Sequence, residues 1–86
     1  MPRALSLQRT IVPPGERKEF HARLREKREH YARMNCRFWA FEEAGLPGAY
    51  LEFAEGPDLA TLEAAQAAAP EQPRDPGRIY REVELT

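Results

Sequence analysis

The sequence predicts an α+β fold with the element order β-α-β-β-α-β. Three observations carry this. Two stretches near the ends, Arg3 to Val12 and Ile79 to Leu85, alternate along the chain as strands do. Two others, Glu16 to Met34 and Pro57 to Ala69, repeat apolar residues at spacings near multiples of 3.6. Between the helical stretches, Asn35 to Glu55 reads as two strands and a short turn.

In the first strand Leu5, Leu7 and Ile11 share one side and Ser6, Gln8 and Thr10 the other, with Arg9 interrupting the apolar set. Pro13-Pro14-Gly15 stops it. Glu16 and Glu19 then suit the positive end of a helix dipole. Phe20, Leu24, Tyr31 and Met34 form that helix's apolar stripe, with Lys27 or Arg28 filling the gap. His21 and His30 fall off the stripe and are expected in solvent. The basic run Arg23 to Arg33, interleaved with glutamates, reads as a solvated face.

A hairpin with the turn Ala44-Gly45-Leu46-Pro47 would pair Phe41 with Tyr50, Ala40 with Leu51, Trp39 with Glu52, and Phe38 with Phe53. Cys36, Phe38, Ala40, Leu51 and Phe53 then share a greasy face suited to helices. Arg37, Trp39, Phe41, Tyr50 and Glu52 share the other. The second helix is expected to start at Pro57, a good first-turn residue, and to bury Leu59, Leu62, Ala65 and Ala69. Pro70 to Gly77 is turn-rich. In the last strand Ile79, Val83 and Leu85 lie opposite Tyr80, Glu82 and Glu84.

This order is the split-βαβ, ferredoxin-like arrangement: a four-stranded antiparallel sheet, strand order 4-1-3-2, with both helices on one face. Residues 1–86 form one domain. The expected core is Leu5, Leu7, Phe20, Leu24, Phe38, Leu51, Phe53, Leu59, Leu62 and Val83. The bare face is expected to carry Ser6, Gln8, Thr10, Arg37, Trp39, Phe41, Tyr50 and Glu52, too aromatic a patch to leave to water.

A chain of 86 residues buries only about 60–65% of its unfolded surface, so a second subunit is a usual remedy. Residues 1–37 hold ten Lys/Arg and four Asp/Glu, whereas residues 38–70 hold no Lys/Arg and six Asp/Glu. With a net charge of −1, this asymmetry reads as neutralisation within the fold or across a homodimer, not as a nucleic-acid surface. No apolar run approaches the roughly 20 residues of a membrane span. The start lacks the pattern of a signal peptide. One cysteine permits no internal disulfide, and no Cys/His cluster has zinc spacing, so a reduced cytoplasmic setting, no metal and no cofactor are expected. Cys36 is expected to be a buried, inert thiol.

Several segments resemble the dimeric α+β barrel superfamily, most of all its antibiotic-biosynthesis-monooxygenase-like branch. They are Val12-Pro13-Pro14-Gly15-Glu16 with Phe20, the strand opening Asn35-Cys36, Pro47-Gly48 followed by Tyr50-Leu51-Glu52-Phe53, and the helix Pro57 to Ala65 with Leu62-Glu63-Ala64. Members often carry a histidine after that Leu-Glu-Ala, where this chain has Ala65. The resemblance implies a homodimer made by packing two sheet faces into a barrel, and a small-molecule ligand. It leaves two function classes open. One is a cofactor-independent monooxygenase acting on an aromatic or polyketide-like substrate. The other is a non-catalytic metabolite-binding or dimerisation module.

The candidate ligand-binding residues are Gln8, Asn35, Arg37, Trp39, Phe41, Tyr50 and Glu52; none carries an assigned catalytic role. Trp39 would stack on a flat ring, Arg37 would hold an anionic oxygen, and Tyr50 would donate a hydrogen bond. In the expected register Arg37, Trp39 and Glu52 form one site, with Arg37 a diagonal neighbour of Glu52.

Overall fold

The structure, a computed structural model, describes residues 2–85. Its elements are β1 (Ala4–Ile11), a 3-10 turn (Pro14–Glu16), α1 (Arg17–Arg33), β2 (Arg37–Glu42), β3 (Ala49–Gly56), α2 (Leu59–Ala67) and β4 (Ile79–Arg81). The strands pair antiparallel in the order β2-β3-β1-β4. This is the ferredoxin-like order read from the sequence. Both helices cover one sheet face, where Tyr31 of α1 and Leu62 and Ala65 of α2 pack with Ala4 and Ala54 of the sheet. A second cluster joins Phe20 of α1 to Val12 and Tyr50, with Leu24 against it.

Local chemistry explains the element ends. At the end of α1 the Asn35 N–H reaches the Ala32 carbonyl and the Cys36 N–H reaches the Tyr31 carbonyl, while Asn35 takes φ 61°. That is a Schellman motif with asparagine in the left-handed position. Helix α2 starts two residues later than expected. Asp58 caps it, its Oδ1 accepting from the Thr61 N–H at 2.7 Å, which leaves Pro57 outside the helix.

The hairpin differs from expectation by one residue. Glu42 pairs with Tyr50, Phe41 with Leu51, Ala40 with Glu52, Trp39 with Phe53, and Phe38 with Ala54. The cause is Gly48. It adopts φ 94° and stays in the turn, where its N–H donates to Glu42 Oε2 at 2.9 Å and its carbonyl accepts from the Val12 N–H at 2.8 Å. A Cβ at Gly48 would lie 2.8 Å from the Val12 carbonyl oxygen. One extra turn residue slips every pair by one, and a slip of one turns every β3 side chain to the opposite face.

The core is corrected accordingly. Strand β2 keeps its expected orientation, with Phe38 and Ala40 toward the helices, but β3 turns Tyr50, Glu52 and Ala54 to them. Strand β1, in register with β3, turns Ala4, Ser6, Gln8 and Thr10 the same way. Leu5, Leu7, Leu51 and Phe53 therefore leave the helix-covered core and sit half-buried on the open face. Phe20 and Leu62 are buried, and Leu24, Phe38 and Leu59 pack at the edges of the two clusters. Val83 and Leu85 are 74% and 92% exposed. The ladder with β1 ends at Arg81 opposite Ala4, and beyond it the Glu82 N–H donates to the Arg3 carbonyl.

Candidate functional site

A hollow of about 140 Å³ lies between the helix-covered sheet face, α1 and the segment 71–74. Its floor is made by Ser6, Gln8 and Thr10 of β1 with Glu52 of β3. Phe20, Lys27 and Tyr31 of α1, Phe38 of β2 and Gln66 of α2 form its walls. The polar side of β1 thus lines a cavity instead of facing water.

Glu52 is 6% exposed, and its Oε1 accepts from Lys27 Nζ at 2.8 Å. Burial makes each charge dependent on the other, since an unpaired buried ion is costly. Thr10 Oγ1 approaches the second Glu52 oxygen at 3.5 Å. Lys27 also lies 3.8 Å from Glu71, which reaches Arg23 at 3.5 Å. Tyr31 stacks on Phe38 with ring centroids 5.5 Å apart. Burial, then the neighbouring Cys36 and Glu52, push the Tyr31 hydroxyl up to about 12, so it stays a neutral donor at neutral pH.

Polar tethers hold the cover. Gln8 makes a pair of hydrogen bonds with the Asp75 backbone, donating at 2.9 Å and accepting at 3.2 Å. Gln66 donates to the Pro76 carbonyl at 3.0 Å. Beneath it, His30 is buried and its Nε2–H donates to the Ala65 carbonyl at 2.8 Å, joining α1 to α2. It is therefore not a solvent-facing histidine. His21 too has a partner, Tyr50 Oη at 2.9 Å from its Nε2. Cys36 is buried, and burial followed by the nearby Asp58 charge raises its thiol, which disfavours the thiolate.

The seven candidate residues fall into separate places. Gln8 and Glu52 line the hollow. Tyr50 lies under α1 beside it, kept protonated by burial and by the Glu42 charge. Trp39 and Phe41 stand on the open face, where both rings meet Phe53 at 5.7 Å. Arg37 is on that face as well, 4.0 Å from Glu55, and Asn35 is the exposed end of α1. Trp39 and Glu52 thus occupy opposite sides of the sheet, and the single Arg37–Trp39–Glu52 site does not form. Lys27, Tyr31 and Gln66, none of them a site candidate by sequence, also line the hollow. The available signal was the lysine interrupting an apolar helix stripe.

No helix among the described residues is long and apolar enough to cross a membrane. Among those residues, no group of three or more His, Cys, Asp or Glu side chains converges as metal ligands do.

No protein-family model matches the chain, and no curated protein matches it by sequence. Solved structures do match it in shape. A candidate antibiotic biosynthesis monooxygenase from Bordetella bronchiseptica superposes with a TM-score of 0.63 at 13% identity, over 100% of both chains. Rv0793 from Mycobacterium tuberculosis superposes with a TM-score of 0.63 at 18% identity, over 100% of this chain and 97% of that one. The chain shares with these two structures the ferredoxin-like fold.

Proposed function

We propose that this protein binds a small aromatic molecule in the Lys27–Glu52 hollow and oxidises it without a cofactor, as a homodimer. The observation that carries the reading is the pairing of buried Glu52 with Lys27 at 2.8 Å in the lining of a cavity of about 140 Å³. A cavity of about 150 Å³ holds one benzene ring, so the volume favours a single-ring phenol over a fused polyketide. Glu52 would take the phenol proton, and the Lys27 ammonium would hold the phenolate oxygen. An electron-rich phenolate can itself reduce dioxygen. One oxygen atom enters the ring and the other leaves as water, turning the phenol into a quinone with no external reductant. Phe38 and Phe20 would flank the ring, with the neutral Tyr31 hydroxyl as a donor.

The dimer would form through the open sheet face. Leu5, Leu7, Ile11, Trp39, Phe41, Leu51, Phe53 and Tyr80 share that side, and Ile11, Phe41 and Tyr80 are at least half exposed in the single chain. An apolar layer of this kind is what a second copy would cover.

The second reading, a non-catalytic metabolite-binding module, rests on the 2.8 Å pair itself, because the Glu52 oxygen already accepts a hydrogen bond from Lys27. The test is dioxygen uptake with a panel of single-ring phenols, alongside nuclear magnetic resonance titration with the same compounds. Uptake lost in Glu52→Gln supports the oxidase reading. Binding at Thr10 and Gln66 without uptake supports the module. No saturable shift at those residues refutes both.

A further inference from the structure

Helix α1 has a second flank. Phe20, Arg23, Lys27 and Tyr31 look into the hollow, whereas His21, Leu24, Arg25 and Arg28 look into a separate groove between α1 and the edge strand β2. The groove has about 480 Å³, and Phe38, Ala40 and Tyr50 complete its apolar wall. The basic residues of the two flanks have different surroundings. Lys27 and Arg23 are met by Glu52 and Glu71. Among the described residues, Arg25 and Arg28 have no ion-pair partner. The one carboxylate lining the groove, Glu42, is held by the Gly48 N–H. At the inner end the Tyr50 hydroxyl is fixed by His21 at 2.9 Å.

We propose that this groove is a second binding site, for an amphipathic carboxylate with an aryl or alkyl body. Two free guanidiniums suit a carboxylate, to which arginine binds through paired N–H donors. Leu24, Phe38 and Ala40 offer the body an apolar surface, and a groove of this size lies in the range of small-molecule sites. The groove is a separate space from the Lys27–Glu52 chamber: only Phe38 lines both.

The probe is phenylbutyrate, with phenylbutanol as its uncharged counterpart, titrated into the full chain and followed by nuclear magnetic resonance. Saturable shifts are expected at Leu24, Ala40 and the Trp39 indole. The alcohol should bind about tenfold or more weakly, and Arg25→Gln with Arg28→Gln should weaken phenylbutyrate by a similar factor. Both substitutions are on the exposed helix surface and keep helix propensity, so an unchanged spectrum away from the groove will report an intact fold. No saturation by phenylbutyrate would overturn the proposal. So would equal affinity for acid and alcohol, or an unchanged double variant. Shifts confined to Thr10 and Gln66, or to Leu7 and Leu51, would likewise overturn it by locating the probe in the chamber or on the open face.

Discussion

The two faces of the sheet invert the usual relation between cover and polarity. The helix-covered face carries Ser6, Gln8, Thr10 and Glu52 across its middle, and Ser6 and Glu52 are only 5% and 6% exposed. The uncovered face carries leucines and aromatic rings, with Phe41 and Ile11 more than half exposed. A sheet that served only to make a monomer core would do the reverse. The difference teaches that the helices here roof a polar chamber more than they seal an oily core. In the single chain the apolar layer of the open face has no cover.

The largest expected break is on the covered face. Glu52→Ala takes from Lys27 its 2.8 Å partner and leaves it Glu71 at 3.8 Å, which should cost about 3 kcal/mol in urea unfolding. Lys27→Met combined with Glu52→Leu should recover most of that loss, since an apolar pair carries no uncompensated charge. Equal losses in the single and double variants would mean that the pair is not what the covered face depends on.

The open face gives the next effect. Phe53 contacts both Trp39 and Phe41, so Phe53→Asp introduces a charge amid the aromatic layer. Loss of a central aromatic anchor costs about 2 kcal/mol or more of association. Sedimentation should then fall from twice the 9.9 kDa chain mass to the chain mass itself. A wild-type chain that sediments as a monomer would remove the contrast between the faces.

A smaller change sharpens the role of the roof. Gln8→Ala removes both bonds to the Asp75 backbone, each worth about 1 kcal/mol. Amide exchange in residues 71–76 should quicken, while exchange in β3 stays slow.

The smallest effect is a pH response at the β1–β4 edge. Arg3 holds the Glu82 carboxyl down to about 2 by hydrogen bonding, against an ordinary value of 4.5. A carboxyl depressed by folding adds stability above its unfolded value and loses it as pH falls toward the folded one. Protection of the Glu82 amide, relative to its intrinsic exchange rate at each pH, should therefore fall between pH 4.5 and about 2. Equal protection at both ends of that range would show that the ion pair does not hold this edge.

The element order, the strand order and the helix stripes were legible because they depend on periodicity, which a sequence displays directly. Leu62 and Ala65 follow the helical repeat and are fully buried. Facing was not legible. Gly48 could belong equally to the turn or to the strand, and only its left-handed backbone and its bond to Glu42 decide the matter. The rule that apolar residues face helices then misled for β1 and β3, since Leu5, Leu7, Leu51 and Phe53 satisfy a different surface. Gln8 and Glu52, singled out by their chemistry, both line the hollow. Lys27, the partner of Glu52, comes from α1 and 25 residues away in the chain, and the sequence does not display that approach.

Phe38 lines both the chamber and the groove, with Tyr31 stacked on it. A single ring separates two spaces, so any rotation that enlarges one redraws the boundary of the other. In thermodynamic terms the two occupancies share a variable. If filling one space biases the ring, the free energy of filling the other changes, and by the same amount in either order.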